Sequence, residues 1–266
     1  MRRCALVAIG LLTLPVFGAE GLLGYYRHPA LNDDTIVFYA ESDLWRVPVN
    51  GGTARRLTTH LERERFPCIS PNGETVAFTA SYDGTHEIYL MPLEGGRPRR
   101  VTHEGISGRR SPRPVSWKSD TELVYATWYF ATRDTHQLAI LNVETGNKKL
   151  LPLEQASDGG FAADNETLVF TRLPRQNSFA KRYRGGLVEN LWRFRNGDKD
   201  AVPLTPDYDG TSRDPMVWKD RIYFSSDRDG TMNLWSMTFE GKGLVCLLYT
   251  SDAADERSSV DLGGRR

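Results

Sequence analysis

Cysteine is scarce in this sequence: Cys4, Cys68 and Cys246 are the only three in 266 residues, too few for a disulfide framework. The fold must therefore rest on an apolar core. An excess of charge of one sign is also lacking, since 34 basic residues balance 34 acidic ones. That removes the electrostatic push toward nucleic acid or an anionic membrane. The apolar run at the N-terminus, Ala5–Phe17, falls short of the ~20 residues that span a bilayer. Signatures of chemistry are missing too. Turn serines such as Ser70 and Ser111 lack a G-x-S-x-G elbow, and His28, His60, His86, His103 and His136 are scattered without the i, i+4 pairing of a metal site. No catalytic, cofactor-binding or metal-ligating residue is expected. Asp227-Arg228-Asp229-Gly230 faintly resembles a calcium loop, but it holds the same repeat position as Tyr82-Asp83-Gly84, and turn chemistry accounts for both.

What the chain does have is turn residues at a fixed phase. Phe66–Gly105 reads as four short strands: Phe66–Ser70, then a Pro71-Asn72-Gly73 turn, Thr75–Ala80, an Asp83-Gly84 turn, Glu87–Leu93 up to Gly95-Gly96, and Arg99–Thr102. Four antiparallel strands in ~40 residues make one blade of a β-propeller. The third strand recurs as Asp43–Val47, Glu87–Met91, Gln137–Leu141, Asn190–Phe194 and Asn233–Met237. Each is preceded by a second-strand copy: Ile36–Phe38, Val76–Phe78, Leu123–Tyr125, Leu168–Phe170 and Ile222–Phe224. A fourth strand follows as Arg55–Thr58, Arg99–Thr102, Lys149–Leu151 and Val202–Thr205, but the fifth copy shows none. The prediction is an all-β fold, a β-propeller of four-stranded WD40-like (PD40) blades, with Trp45, Tyr89, Trp192 and Trp235 filling the layers between blades.

Met1-Arg2-Arg3, the run Ala5–Phe17 and the small residues Gly18-Ala19 have the layout of a secretory signal peptide over 1–19, which predicts export to the periplasm. Blades then fall at about 22–60, 62–105, 108–155, 156–210 and 211–244. Trp128–Thr135 lengthens a turn in the third. Pro174–Val188 interrupts the fourth with a basic insertion that includes Lys181, Arg182, Tyr183, Arg184, Gly185 and Gly186, a candidate interaction loop at the rim of the ring. Gly185-Gly186 is expected to turn the backbone sharply there, with Phe179 and Tyr183 as apolar anchors. From Cys246 the repeat logic stops. Cys246–Glu256 resembles a translated sequencing-library adapter and Ser259–Arg266 translated flow-cell primer sequence, so 246–266 is expected to be a non-native tail. Without the leader and tail, 29 basic and 30 acidic residues remain, and Cys68 is the one cysteine left.

These residues carry a family resemblance. HPALNDDTIVFYAESDLWRVPVNGGTARRLT (28–58), SPNGETVAFTASYDGTHEIYLMPLEGG (70–96) and YRGGLVENLWR (183–193) resemble the N-terminal propeller of tricorn-type proteases, serine peptidases of the C-terminal-processing (S41) class. The resemblance covers residues 22 to about 244. Its SPNG and SYDG turns are shared with the propeller of the Tol translocation protein; Tyr183–Gly186, just before a third strand, is the sharper match. It implies about five blades of an incomplete six-bladed ring, followed in the family by a seven-bladed propeller, a PDZ domain and catalytic domains. It further implies a non-catalytic part of an exported peptidase that helps form a compartment guiding peptides to or from a distant active site. The implied partners are other domains or subunits of a homo-oligomeric parent and peptides, with no nucleic acid and no stable membrane insertion once the leader is removed. The alternative is a Tol-associated type of periplasmic scaffold that binds proteins and catalyses nothing. A prolyl-oligopeptidase-like propeller fits the Tyr183–Gly186 insertion poorly.

Overall fold

The computed structural model describes residues 24–131, 135–174 and 183–248; the leader expected over 1–19 and the tail from Tyr249 lie outside the described residues. Twenty strands form five antiparallel sheets, each a simple meander. The first blade holds β1 (Arg27–Asn32), β2 (Thr35–Ala40), β3 (Asp43–Pro48) and β4 (Arg55–Arg56). The second holds β5 (Arg65–Ile69), β6 (Thr75–Ala80), β7 (Glu87–Pro92) and β8 (Arg99–Arg100), and the third β9 (Arg113–Trp117), β10 (Glu122–Thr127), β11 (Gln137–Asn142) and β12 (Lys148–Leu150). The fourth has β13 (Asp158–Phe161), β14 (Thr167–Thr171), β15 (Leu191–Arg195) and β16 (Val202–Pro203); the fifth has β17 (Ser212–Trp218), β18 (Arg221–Ser226), β19 (Asn233–Thr238) and β20 (Val245–Cys246).

The core lies between blades rather than within any one of them. Four apolar clusters join consecutive pairs, with Phe78, Tyr125, Phe170 and Phe224 of the second strands among the largest fully buried side chains. Inner strands pack in series, β1 on β5, β5 on β9, β9 on β13 and β13 on β17, and among the described residues no comparable packing joins β17 back to β1. Burial follows that order. β6, β10 and β14 are buried on both faces, whereas β18 is buried on alternate residues and β2 only at Val37 and Ala40. The structure is thus an arc of five blades, open between the fifth and the first.

A proline near the start of the inner strand bends it. His28-Pro29, Phe66-Pro67 and Asp214-Pro215 each coincide with a shift of register against the second strand, and the residue before each proline has positive φ (50°, 54° and 52°). Proline offers no N–H to the ladder, so pairing is interrupted there and a bulge results. The fourth blade has Gly159-Gly160 instead and pairs without a shift. A Cβ at Gly159 would sit 2.5 Å from the Val169 carbonyl oxygen and 2.9 Å from Phe170 Cβ, so only glycine allows β13 to approach β14 this closely.

A buried polar latch closes the outer edge of the blades. Thr58 Oγ1 accepts the Leu44 N–H at 2.8 Å, Thr102 Oγ1 accepts that of Ile88 at 2.8 Å, and Thr205 Oγ1 that of Leu191 at 3.1 Å. In the second blade the Thr102 hydroxyl donates to Glu87 Oε2 at 2.6 Å, and Arg100 donates to Glu87 Oε1 at 3.0 Å. The first blade repeats this with Asp43 and Arg56. This explains the basic-then-Leu-Thr pattern of the sequence: the threonine satisfies an N–H near the start of the third strand, that of Leu44, Ile88 or Leu191. The leucine-position amide donates to the third strand in all five blades, from Leu57, Val101, Leu151, Leu204 and Leu247.

Leu247 marks a difference from the sequence reading. The fifth blade does have a fourth strand, with Trp235 opposite Cys246 and Ser236 opposite Val245. Fourth strands here are two or three residues long and mostly exposed. They contribute main-chain hydrogen bonds alone, so their side chains are weakly constrained and their sequence is a poor signal.

Two expected outcomes follow from the latch and from its neighbour Glu64. Thr102→Val leaves the Ile88 N–H without its acceptor and removes a donor from Glu87. It should cost ~1–3 kcal/mol in denaturant unfolding, against a few tenths for the same change at an exposed threonine. Glu64, in the segment linking the first two blades, accepts the Tyr82 hydroxyl at 2.6 Å, and its Oε2 is buried without a partner. Burial, the largest cause, pushes its carboxyl up to about 7, against the pull of hydrogen bonds from Tyr82 and Thr58. Because the folded value lies above the unfolded one, the native state holds an extra proton between ~4.5 and ~7, and stability falls as pH rises through that window. Glu64→Gln should flatten this decline; parallel pH–stability profiles for the two proteins would contradict it.

Candidate functional site

In a four-stranded meander the turns between strands one and two, and three and four, leave from one end of the propeller. Those between two and three, and between blades, leave from the other. The long connections of this chain all fall at that second end: Trp128–His136 after β10, Pro174–Asn190 after β14, and the segment before β9 with its 3-10 turn Gly108–Arg110. There Trp128 packs edge-on to His136 at 4.8 Å, with the Arg110 guanidinium 4.5 Å from its ring, and Tyr129 and Phe130 are exposed beside it. The insertion predicted as an interaction loop lies at the same end.

Of that loop, Phe179, Lys181 and Arg182 lie outside the described residues, whereas Tyr183, Arg184, Gly185 and Gly186 are placed. Val188 N–H donates to the Gly185 carbonyl at 3.1 Å, closing a turn, but neither glycine has positive φ. The Tyr183 ring folds over Gly185, where a Cβ would collide with its hydroxyl end, while Gly186 faces open space. The end of the loop is then fastened down. Buried Glu189 accepts the Ser212 N–H on its carbonyl at 2.8 Å, and its carboxylate lies 3.7 Å from the Arg213 guanidinium. The insertion is thereby tied to the first strand of the next blade.

Next to that tie lies a feature the sequence reading passed over as a turn. Asp227-Arg228-Asp229-Gly230 does form the turn equivalent to Ser81–Gly84, with Gly230 N–H to Asp227 carbonyl and Gly84 N–H to Ser81 carbonyl both at 3.0 Å. The two turns present different side chains. In the second blade, Tyr82 packs on Phe78 and Tyr89 and donates to Glu64. In the fifth, Arg228 takes that place, its guanidinium carbon 5.3 Å from the Phe224 ring, 5.3 Å from Trp235 and 4.9 Å from Tyr208. Strand register equates Arg65 with Arg213, hence Glu64 with Ser212. Where the second blade has a carboxylate, the guanidinium meets the hydroxyls of Ser212 and Ser226, each at 3.1 Å.

The electrostatics of this crevice are cationic at its head. Burial lowers the Arg228 pKa, opposed by Tyr208 and Asp227. The Tyr208 hydroxyl, which donates to Asp227 at 2.9 Å, is pushed up to about 12 by burial first and Asp227 next, while Arg184 and Arg228 pull the other way. Arg184 of the insertion and Arg228 of the fifth blade therefore act on the same hydroxyl from two elements. A cavity of about 260 Å³ opens here, lined by Leu204, Pro206, Tyr208, Arg228, Met237 and Leu244 among others. One of about 240 Å³ occupies the preceding crevice, beside Arg172 and Trp192, with Glu154 and Asp200 in its lining where the Arg228 cavity has the single acid Asp207. The signal for Arg228 was in the sequence: an Arg where the second blade has Tyr82.

Other candidates sit where turn and packing chemistry put them. Ser70 Oγ donates to Asn72 and accepts the Thr75 N–H; Ser111 Oγ donates to the Gly108 carbonyl. His28 packs on Phe66 and His60 on Tyr82. Among the described residues no group of His, Cys, Asp and Glu is arranged to hold a metal. Cys68 and Cys246 are both free thiols. Tyr89 is buried between blades as expected, and Trp192 and Trp235 are half-buried at the margins of the clusters.

The same architecture occurs in known proteins. A solved structure of the tricorn protease superposes with a TM-score of 0.75 at 24% identity, over 87% of this chain and 23% of that one. The putative TolB of Agrobacterium tumefaciens shares the fold, with a TM-score of 0.68 at 17% identity. In sequence the chain is 34% identical to a tricorn protease homologue of Streptomyces coelicolor, over 89% of this chain and 22% of that protein. It is 30% identical to one from Saccharolobus solfataricus, over 83% of this chain and 20% of the relative. Thus it spans about a fifth of the length of these curated relatives. The model of the tricorn protease N-terminal β-propeller domain matches residues 23–261, and the chain belongs to that family.

Proposed function

We propose that this chain is the non-catalytic N-terminal propeller of an exported tricorn-type serine peptidase, and that it forms part of a passage for peptides and a contact surface for the parent's other domains or subunits. The observation that carries this reading is the gathering of the long connections at one end of the arc, an end that also carries Arg184, Arg228 and the exposed Tyr129 and Phe130, on a chain whose relatives are proteases. An end face of that composition suits segments of unfolded polypeptide, which present carboxylates and apolar side chains. The basic start, the apolar run Ala5–Phe17 and Gly18-Ala19 support export. The Tol-type scaffold has fold likeness at 17% identity behind it and nothing more.

The chain should bind short fluorogenic peptides without cleaving them. Turnover that a serine-directed inhibitor abolishes would contradict the non-catalytic reading. Joint replacement of Lys181, Arg182 and Arg184 by Ala should weaken peptide association most at low salt, where charge attraction is least screened, and leave the unfolding midpoint in place. An unchanged association across salt concentrations would remove the loop from the proposal.

A further inference from the structure

We propose that the crevice between the fourth and fifth blades, headed by Arg228, is a binding subsite for a peptide carboxylate. The inference deepens the peptide-handling role proposed above and rests on it.

The argument begins with the guanidinium's unmet valence. Arginine carries five N–H donors in a planar fork. Arg228 Nε donates to Ser226 Oγ and one Nη2 hydrogen to Ser212 Oγ, both at 3.1 Å. No carboxylate among the described residues ion-pairs with it, in contrast to Arg46, Arg56, Arg100 and Arg213, which have Glu94, Asp43, Glu87 and Glu189. The remaining edge of the fork has the geometry that takes two carboxylate oxygens at once.

Its surroundings make an anion there worthwhile. Tyr208, Phe224 and Trp235 ring the guanidinium, which excludes water and strengthens whatever charge contact is made. The Trp235 indole N–H is also buried without an acceptor, whereas Trp45 Nε1 at the equivalent position donates to the Ala40 carbonyl at 3.0 Å. Two acids stand nearby: Asp227, whose Oδ1 accepts the Tyr208 hydroxyl and the Thr211 N–H, both at 2.9 Å, and Asp207, an exposed residue of the cavity lining; neither forms an ion pair with Arg228.

The ligand class follows from the rest of the cavity. Leu204, Pro206, Met237 and Leu244 make an apolar floor next to the cationic head, and about 260 Å³ holds one or two residues rather than a folded segment. A carboxylate with an apolar side chain close by is what a peptide offers, either at its C-terminus or at an Asp or Glu. The repeat supplies the comparison. The second blade fills the same place from within, using Tyr82 and Glu64, and the fifth blade has replaced both members of that pair.

The test uses the full chain and three labelled tetrapeptides of one apolar sequence: the free C-terminal acid, the C-terminal amide, and an amide with one internal Glu. The peptide that supplies the carboxylate, acid or Glu, should bind ~10-fold or more tightly than the plain amide, and this identifies the source. Arg228→Gln keeps an amide donor, removes the charge and should erase the preference. Ser212→Glu, which restores the carboxylate that Glu64 provides in the second blade, should erase it as well by engaging the guanidinium from inside, with the melting temperature held or raised. Equal binding of all three peptides, or a preference that survives both substitutions, would overturn the subsite and leave peptide handling standing. Absence of binding by any peptide would overturn both. Should either variant fail to fold, photo-crosslinking of the acid peptide to the unsubstituted chain decides: adducts within 204–208 or 228–244 support the site, and adducts elsewhere refute it.

Discussion

Each blade of this protein depends on the next for cover. A four-stranded sheet with two apolar faces has no stable existence in water, and the meander gives it no second layer of its own. The second-strand aromatics Phe78, Tyr125, Phe170 and Phe224 each find that layer in the preceding blade. Side-chain bonds tie neighbours in the other direction, onto the following blade: Arg46 reaches the Leu93 carbonyl at 3.0 Å, Arg99 that of Val143 at 3.1 Å, and Arg193 that of Phe239 at 2.8 Å. Stability is therefore built between neighbours, and it is greatest where a blade has two of them. Phe38, the first blade's counterpart, has no preceding blade among the described residues and meets the edge of Tyr26 at 5.1 Å.

Most of this was legible in the sequence because turns and strand cores are chemically demanding. Gly84 and Gly230 need φ of 102° and 104°, and the second strands need apolar side chains to pack between blades, so both leave an unmistakable periodic trace. The fourth strand leaves little. Its residues are exposed and contribute main chain, which is why Val245–Cys246 pairs with β19 although nothing in its composition announces a strand. The inner-strand prolines were in plain view, yet their bulges are a consequence of register and emerge only when strands are paired. Gly159 shows the same limit: a Cβ there would sit 2.5 Å from the Val169 carbonyl oxygen, and a close approach of that kind is not written in backbone propensity.

The site was less legible than the fold for a related reason. The insertion stood out by length and charge, and β14 and β15, which it connects, put its described ends at the end of the propeller where the other long connections gather. Arg228 did not stand out, since an Asp-Arg-Asp-Gly turn is unremarkable by itself. Its meaning comes from comparing blades: the same slot holds a tyrosine paired with a glutamate in one and an arginine facing serine hydroxyls in another. Repetition therefore does double duty in this fold. It defines the architecture, and a departure from it marks where a blade has been put to another use.

The central physical claim is that cover between blades is serial and ends at the first and fifth. Amide hydrogen exchange on the full chain tests it most directly, because protection reports the free energy of opening each strand. Amides of β6, β10 and β14 should exchange slowest, and those of the less buried β2 and β18 should exchange faster by at least ~10-fold, corresponding to ~1.4 kcal/mol. Equal protection across all five second strands, with β2 and β18 as slow as β10, would contradict the account.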